Sequence, residues 1–501
     1  MSGLDLVLAR PAARRLEPAS WRRWVALPVV LTGTFVIVLD FFIVNVALPA
    51  MQAELHASSG AVEWVVAGYG VTFATTLITA GRLGDRFGRR RMFSLGLAVF
   101  TLASAVCGAA PTPTVLVVAR LLQGLAAALI APQVLAIISV VYPGARQAKA
   151  LAAYGLTLGL AAVGAQLIGG VLLQSDVAGL GWRAIFVINV PIGLAGLLAA
   201  AVFVPESRAE RASRLDLVGT GLVTGGLVAV VLPLVEGRQH GWPAWTWISL
   251  ASAPALLVAF AVHQRRLSRR GRDPLLEPAL FARRAFSAGL VTQLAFWCGQ
   301  ASFFLVLALY LQNGRGLDPL AAGAVFTILA AGYFATSMVA PALTIRLGRR
   351  LPGVGALVLA AGHAALAVAV VDAGAGGSVA LLVPGLVMEG AGMGLVITPL
   401  MTTVLSAMEA ERAGAATGVL SAVQQVGNAV GVAVTSVVFF GALRGGYSHA
   451  FGISLVELTG LLLVVAGLTW LLPRRAGARS PTLDRRDPGA PGRRRTLRFG
   501  R

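Results

Sequence analysis

Charged residues are scarce in this chain. Asp, Glu, Lys and Arg make up only 12% of its 501 residues, whereas ordinary soluble domains carry about 25%. Hydrophobic residues reach 57%. This balance excludes a water-soluble fold and predicts an all-α membrane protein.

Lysine is almost absent, since Lys149 is the only one and Ala150 follows it. A nucleotide-binding phosphate loop requires a Gly-Lys pair followed by Ser or Thr, so this chain cannot form one. The loops carry neither a Cys/His metal cluster nor the Gly-x-Ser-x-Gly turn of a hydrolase. We therefore expect no nucleotide, no metal, no cofactor and no enzymatic activity.

Cysteine is rare as well. Cys107 and Cys298 lie far apart, each within an apolar run, which favours two small buried side chains over a disulfide.

The net charge of +20 would suit binding to a nucleic acid. However, the arginines stand in short clusters between apolar runs, which is typical of membrane topology, and we expect no nucleic-acid partner.

Fourteen apolar runs are long enough to cross about 30 Å of hydrocarbon as transmembrane helices. Six fall in residues 25–205, two in 206–264 and six in 285–473. The expected architecture is two six-helix bundles plus two additional spanning helices. The remaining segments are an N-terminal tail at 1–24 without a cleavable secretory signal, a basic linker at 265–284 and a disordered basic tail at 474–501.

The distribution of positive charge orients these spans. With the N-terminus in the cytoplasm, 36 Lys and Arg residues fall on the cytoplasmic side of the bilayer and only four outside, as the positive-inside rule requires. We expect a multi-pass protein of the cytoplasmic membrane with both termini in the cytoplasm. The four outside are Arg183, Arg238, Arg315 and Arg444.

A dense charged loop, GRLGDRFGRRR, separates the second and third spans. Its glycines allow the flanking helices to approach closely. Its aspartate offers a carboxylate to a helix N-terminus or to a guanidinium, and its arginines hold the loop in the cytoplasm. The residues expected to form this cytoplasmic gate are Gly81, Gly84, Asp85, Arg86, Gly88 and Arg89.

Part of this pattern recurs 264 residues later. The tripeptides AGY at 67–69 and RLG at 82–84 reappear at 331–333 and 346–348. The chain is therefore predicted to be a duplication. Two parallel-related halves with a site between them at mid-membrane are the plan of many secondary transporters.

Two charges stand inside apolar runs of the first half. Asp40 in the first span is a candidate proton carrier, because a lone carboxylate in a membrane must find a partner or a proton. Arg120 in the fourth span cannot lose its proton and can modulate a nearby acid. The pair could therefore drive proton uptake and release by relative movement, or it could be a static buried ion pair. We expect both groups to face a hydrated interior.

Glu389, in the twelfth span, is the deep acid of the second half. It is a candidate for proton coupling and for recognition of a cationic substrate, or it pairs with His363 to stabilise that half. Uncharged polar and aromatic side chains in other spans either face a wet cavity or hold helices together. The candidate cavity residues are Asn45, Gln123, Gln166, Trp297, Gln300, Gln424 and Glu389.

The fifth span carries glycines at spacings that form a flat groove for another helix. Such a face suits either a moving seam between the bundles or static close packing. The seam residues are Gly159, Gly164, Gly169 and Gly170.

With these motifs in place, the chain resembles the major facilitator superfamily, and within it the fourteen-helix drug/proton antiporters. The resemblance extends from about Trp24 to Pro473. LDFFIVNVALP at 39–49 is similar to the family's first-helix motif, and ARLLQG at 119–124 to its fourth-helix motif. GRLGDRFGRRR, WRAIFVINVPIG at 182–193 and YLQ at 310–312 also match the family pattern.

The resemblance implies that Asp40 takes part in proton coupling, Arg120 in proton transfer, and Gly81, Asp85, Arg86 and Arg89 in the cytoplasmic gate. One departure weakens the inference. The antiporters usually carry Gly-Pro in the fifth helix, where this chain has Ala165-Gln166, so a backbone bend is lost.

The expected function is proton-coupled export of hydrophobic or amphipathic small molecules, such as drugs, antibiotics or secondary metabolites, by a functional monomer. A proton symporter or uniporter for a metabolite is the alternative within transport. A membrane enzyme or a sensor is the rival outside it, and would need a hydrophilic catalytic loop or clustered interfacial polar residues.

Overall fold

The structure of the protein is a computed structural model. This structure describes residues 20–142, 145–208, 215–237, 240–373, 377–405 and 410–472. Apart from residues 20–24, both predicted terminal tails lie outside these ranges.

The described residues contain fourteen helices long and apolar enough to cross a membrane, when the bent second helix is counted as one span. That helix turns by 51° between Leu77 and Thr79. The prediction of fourteen spans is confirmed. The helices are α1 Ser20–Glu54, α2 Ser59–Phe87, α3 Arg89–Gly108, α4 Pro113–Val141, α5 Ala145–Ser175, α6 Gly181–Phe203, α7 Leu217–Gly237, α8 Ala244–Arg269, α9 Arg284–Gly314, α10 Pro319–Leu347, α11 Arg350–Ala373, α12 Val379–Val404, α13 Ala410–Ala442 and α14 Tyr447–Leu471.

Local sequence sets several of these boundaries. Ser58, Thr112 and Asp318 each accept a hydrogen bond from the backbone N–H three residues on, at 3.2, 3.3 and 2.8 Å, and so cap α2, α4 and α10. Gly88 ends α2 with a φ of 111°, a conformation that a side chain would resist. Helix α8 continues to Arg269, and so includes the first five residues of the linker predicted at 265–284.

The same helix crossing occurs in both halves. In α2, the Thr72 hydroxyl donates to the carbonyl of Leu121 in α4 at 2.9 Å, and a Cβ on Gly124 would lie 2.3 Å from the Tyr69 carbonyl. In α10, the Thr336 hydroxyl donates to the carbonyl of Ala391 in α12 at 2.9 Å. There a Cβ on Gly394 would lie 2.8 Å from the Tyr333 carbonyl. The crossing of α2 with α4 is therefore repeated by α10 and α12, as a duplication requires.

The two bundles are in direct contact with each other. We call the end that carries residues 81–91 the motif end and the opposite end the far end. From their middle to the far end, α5 and α10 are in backbone contact, since a Cβ on Gly323 would lie 2.5 Å from the Gln166 carbonyl. Phe42 of α1 also packs on Phe304 of α9, with ring centroids 5.1 Å apart. These contacts close the far end.

The additional helices α7 and α8 pack beside this core. Helix α7 follows α2 along its length, through the Thr79 and Thr220 hydroxyls 2.8 Å apart and a 2.7 Å hydrogen bond from the Trp64 indole to Glu236. Helix α8 exposes Ile248 and Val258, which is appropriate for a lipid-facing helix.

Asp216, just before α7, fixes the start of this helix. It accepts hydrogen bonds of 2.8 Å from the Gly219 N–H, from His263 and from Gln264. Burial alone would raise the pKa of Asp216, but these hydrogen bonds outweigh it and hold the pKa below its ordinary value.

The α5 glycines allow a direct test of the bundle contact. A Cβ on Gly170 would lie 2.6 Å from the Pro319 carbonyl and 2.8 Å from the Leu320 Cα. Because backbone cannot move aside easily, Gly170→Val should oppose closure of the far end by about 1–3 kcal/mol. We expect the transport predicted from the sequence to fall at least severalfold while the protein level in the membrane stays normal.

Gly164→Val is the matched control, since a Cβ there would meet only Ile168 of its own helix, at 3.5 Å. Equal transport rates for the two variants would contradict the role of this contact.

Candidate functional site

Asp40 and Arg120 form an ion pair inside the first bundle. Both side chains have no exposed surface, and the Arg120 Nη1 donates directly to the Asp40 Oδ2. The Arg120 Nε donates to the Val65 carbonyl at 2.8 Å, and the guanidinium lies over the Tyr69 ring, 4.5 Å from its centroid. The arginine therefore joins α4 to both α1 and α2.

Amide side chains complete the coordination of the Asp40 carboxylate. Its Oδ1 accepts hydrogen bonds from Gln123 at 3.0 Å and from Asn189 at 2.9 Å. Gln123 also donates to the Ser104 hydroxyl at 2.8 Å. Asn189 lies in α6 and Ser104 in α3, so the network links α1, α3, α4 and α6 around one carboxylate.

Sequence reasoning missed Asn189 and Ser104. Asn189 lies inside the WRAIFVINVPIG motif. The sequence identifies this motif as part of the family pattern but predicts no role for its asparagine. The sequence does not mark Ser104 as a site residue, because single serines in apolar spans commonly hydrogen-bond to neighbouring helices.

The electrostatics of this pair are those of a buried, net-neutral contact. Breaking such a pair in low dielectric is costly, because each ion alone carries a large desolvation penalty. Withdrawal of the guanidinium would leave a carboxylate that needs water or a proton. Separation of α1 from α4 would therefore leave an uncompensated charge inside the bundle.

The predicted hydrated surroundings of Asp40 and Arg120 are not present in this conformation. Both groups are fully buried, because each supplies the charge that the other needs and four helices pack around them. In this conformation neither side chain is accessible to solvent. Water can therefore reach the pair only after the surrounding helices move.

The charged loop at the motif end is held by contacts of its own backbone and side chains. Asp85 accepts from Arg89 at 2.9 Å, so of the two partners expected for this acid, the guanidinium is the one observed. A Cβ on Gly84 would displace the Gln133 amide of α4, which donates to the Ala80 carbonyl at 2.9 Å. The Arg86 guanidinium lies 5.4 Å from the Phe87 ring centroid.

Gly81 packs less tightly against α4 than Gly84 does, since a Cβ there would lie 3.8 Å from Pro132. Arg82 fixes the same end of α2 to the linker by donating to the carbonyls of Asp273, at 3.1 Å, and Pro274. The loop is thus anchored to α4 and to the segment that precedes the second bundle.

The N-terminus of α3 is occupied by Glu206, which sequence reasoning did not single out. Its carboxylate accepts from the backbone N–H groups of Arg90 at 3.1 Å and Arg91 at 3.3 Å, where a helix favours negative charge. A Cβ on Gly88 would lie 2.7 Å from this carboxylate. Glu206 therefore ties the end of α6 to the charged loop.

Three residues predicted to line a cavity have other roles in this structure. Gln123 belongs to the Asp40 network. The Gln166 amide donates to the Phe42 carbonyl at 2.9 Å, and Asn45 donates to the same carbonyl at 3.2 Å. All three side chains are buried, because a polar group inside an apolar bundle bonds to the nearest helix. Gln166 thus joins α5 to α1 at the position where the antiporters usually have proline.

The predicted seam on α5 is shared between two neighbours. Gly170 faces α10, and a Cβ on Gly169 would lie 2.9 Å from Ile43 of α1. Gly159 lies at ordinary contact distance from Phe334, at 3.4 Å, while Gly164 does not approach another helix within the described residues.

The remaining cavity candidates lie in the second bundle. Trp297 and Gln300 of α9 are buried, and Gln424 of α13 is half-buried. Glu389 lies 3.1 Å from His363, which is the pairing given as the alternative for this acid. The structure therefore separates the candidates into an Asp40 network in the first bundle and a Glu389 pair in the second.

Comparison with known proteins settles the family. The family model of the Major Facilitator Superfamily matches residues 30–432, which include the Asp40 network and the charged loop. The chain belongs to the major facilitator superfamily. This confirms the resemblance inferred from the motifs.

Several superfamily relatives of this chain are export and resistance proteins. It is 40% identical over 430 residues to a probable actinorhodin transporter of Streptomyces coelicolor, covering 85% of this chain and 74% of the relative. It is 36% identical over 469 residues to a puromycin resistance protein of Streptomyces alboniger, covering 90% and 91%. A tetracenomycin C resistance and export protein of Streptomyces glaucescens is 35% identical, covering 85% and 78%.

Solved superfamily structures share the fold. A D-xylose-proton symporter superimposes with a TM-score of 0.65 at 15% identity, covering 90% of this chain and 98% of that one. A peptide-complexed POT family transporter gives 0.64 at 15% identity, covering 89% and 95%. At this identity the likeness supports the helical architecture alone.

The ion pair makes a thermodynamic prediction. Asp40→Asn leaves a buried guanidinium without a counter-charge, and Arg120→Gln leaves a buried carboxylate, so each should cost about 3–5 kcal/mol. The double variant removes both charges and should be clearly more stable than the sum of the single effects implies. Thermal unfolding of the purified proteins in detergent measures this, and additive shifts in melting temperature would contradict the pairing.

Proposed function

We propose that this protein is a proton-coupled antiporter that exports hydrophobic or amphipathic small molecules across the cytoplasmic membrane. The observation that carries the proposal is the Asp40–Arg120 pair, fully buried and bonded within α1, α2, α4 and α6 of one bundle. It works as a monomer, without cofactor or nucleotide, with the proton gradient as its energy source. Transport, and not catalysis, is its activity.

The mechanism follows from the cost of an unpaired buried charge. While the pair is intact, α1 and α4 stay together and no proton is bound. When the bundles rock and water reaches the site, the guanidinium can withdraw only if Asp40 takes a proton. Protonation from one side and release to the other would then accompany the change in access.

The charge distribution gives the direction. The basic loop at the motif end belongs in the cytoplasm by the positive-inside rule, which also places both termini there. In this proposal the motif end is the cytoplasmic side of the protein, and the far end, where α5 and α10 are in contact, is the outer side. Asp85, Arg86 and Arg89, together with the glycines of the loop, form the cytoplasmic gate in this proposal.

The substrate class is supported by the names of the relatives. Actinorhodin, puromycin and tetracenomycin C are the compounds named for three of them. Gln300, Trp297 and Gln424 offer dispersed polar atoms among apolar side chains, which suits varied amphipathic molecules better than one polar metabolite. This favours an exporter over a metabolite symporter or uniporter.

Transport in inside-out membrane vesicles tests the proposal. With an acidified lumen, we expect uptake of at least one of these three compounds together with alkalinisation of the lumen, both abolished by a protonophore. Asp40→Asn should reduce the coupled uptake by at least tenfold, since its side chain cannot carry the proton.

Asp318→Asn is the matched control, because Asp318 caps α10 through a side-chain oxygen that asparagine also supplies. Substrate movement in the same direction as protons would identify a symporter and contradict the proposal, as would uptake that is indifferent to the gradient.

A further inference from the structure

The second bundle contains an acid and a base in isolation from other charges. The His363 Nε2 lies 3.1 Å from the Glu389 Oε2, with 2% and none of the two side chains exposed. Glycines bring the two helices together, since a Cβ on Gly362 of α11 would lie 3.1 Å from the Glu389 backbone nitrogen in α12. The Phe303 ring of α9 stacks on the imidazole, with centroids 5.0 Å apart.

This pair has far fewer partners than Asp40. Among the described residues, neither carboxylate oxygen of Glu389 and neither ring nitrogen of His363 has an aligned hydrogen bond. Asp40, in contrast, receives donors from Arg120, Gln123 and Asn189. An ionised Glu389 beside a neutral imidazole would therefore be a bare buried anion.

The duplication shows why no arginine compensates Glu389. Gly124 and Gly394 occupy equivalent places in the two crossings, four residues after Arg120 and Gly390 respectively. The position of the guanidinium in the first bundle is thus held by Gly390 in the second. A Cβ on Gly390 would overlap the Leu329 carbonyl of α10, so a long side chain has no room there.

Other ionisable groups on the surrounding helices do not replace that charge. Within the described residues, Glu389 has an ion-pair contact with His363 alone. Helices α9, α10, α11 and α13 pack around α12. Within α13, side chains are described for residues 419–442, and none of these is ionisable. The ionisable residues of the other three are Arg284, Cys298, Tyr310, Tyr333, Arg346, Arg350, His363 and Asp372, of which the three arginines lie at helix ends.

The geometry points to a second proton-binding site, in which Glu389 and His363 hold one proton between them. With one proton the pair is neutral overall, either as acid and imidazole or as carboxylate and imidazolium. Without it the pair carries an uncompensated negative charge, and with two an uncompensated positive charge, each heavily penalised in a dry bundle. The proton is bound while the site is dry and leaves to water when the site becomes hydrated.

This inference rests on the proposed function and extends it, because it assigns a proton to each bundle. Gln300 lies one turn from Phe303 along α9 and buries an unpartnered carbonyl oxygen, and Trp297 buries an unpartnered indole N–H. These groups give the strip of α9 next to the pair a polar character, which suits transient hydration.

Proton counting tests the site. We expect Glu389→Gln to lower the proton-to-substrate ratio in vesicles by one while gradient-driven transport persists. Glu457→Gln is the matched control, a half-buried acid in α14 that accepts from Thr435 at 3.1 Å, and should leave the ratio unchanged. An unchanged ratio in Glu389→Gln would overturn the inference, as would loss of transport for cationic compounds alone, which would make Glu389 a recognition residue.

A second measurement uses the unaltered protein and does not depend on transport. The chain has five histidines, so nitrogen-15 histidine labelling gives a resolvable spectrum. We expect the ring-nitrogen signals of His363 to keep one protonation state as the bulk pH is varied, because the pair is buried, and to change on substrate addition. A protonation state of His363 that follows the bulk pH in the absence of substrate would overturn the inference. Wild-type transport without protons would refute the proposed antiport and leave this spectral test standing.

Discussion

The structure depends on the charge balance of Asp40 and Arg120. A carboxylate and a guanidinium buried in a membrane-spanning bundle are tolerable only together, and their contacts with Gln123, Asn189 and Val65 hold four helices of the first bundle in one arrangement. Because the cost of separating them is several kcal/mol, movement of these helices and protonation of the acid cannot be independent. The same constraint explains why the site is dry in a conformation whose far end is closed.

The two bundles share their packing but not their charges. Thr72 with Gly124 and Thr336 with Gly394 form the same helix crossing in the two halves. A protonatable acid occurs near this crossing in both bundles, yet the second has glycine where the first has Arg120. The repeated scaffold therefore carries a different electrostatic environment in each half.

Much of this fold could be predicted from the sequence, because a membrane makes length and apolarity decisive and makes a buried charge conspicuous. The fourteen spans, the charged loop, Asp40 and Arg120 all have such signals. The partners of these groups do not, since the rotation of each helix is set by packing with its neighbours. For that reason Gln123 and Gln166 were expected in a cavity but bond to neighbouring helices, and Asn189, Ser104 and Glu206 were recognised only in three dimensions.

The most direct test of the account is whether water reaches the Asp40 network during transport. Ser104→Cys, in a protein whose native Cys107 and Cys298 are replaced by alanine, places a thiol in the buried network without removing a charge. The account predicts that a membrane-impermeant thiol reagent leaves it unmodified at rest and modifies it when substrate and a proton gradient are both present. A thiol that stays unmodified under every condition, in a protein that still transports, would show a permanently dry ion pair and contradict the account.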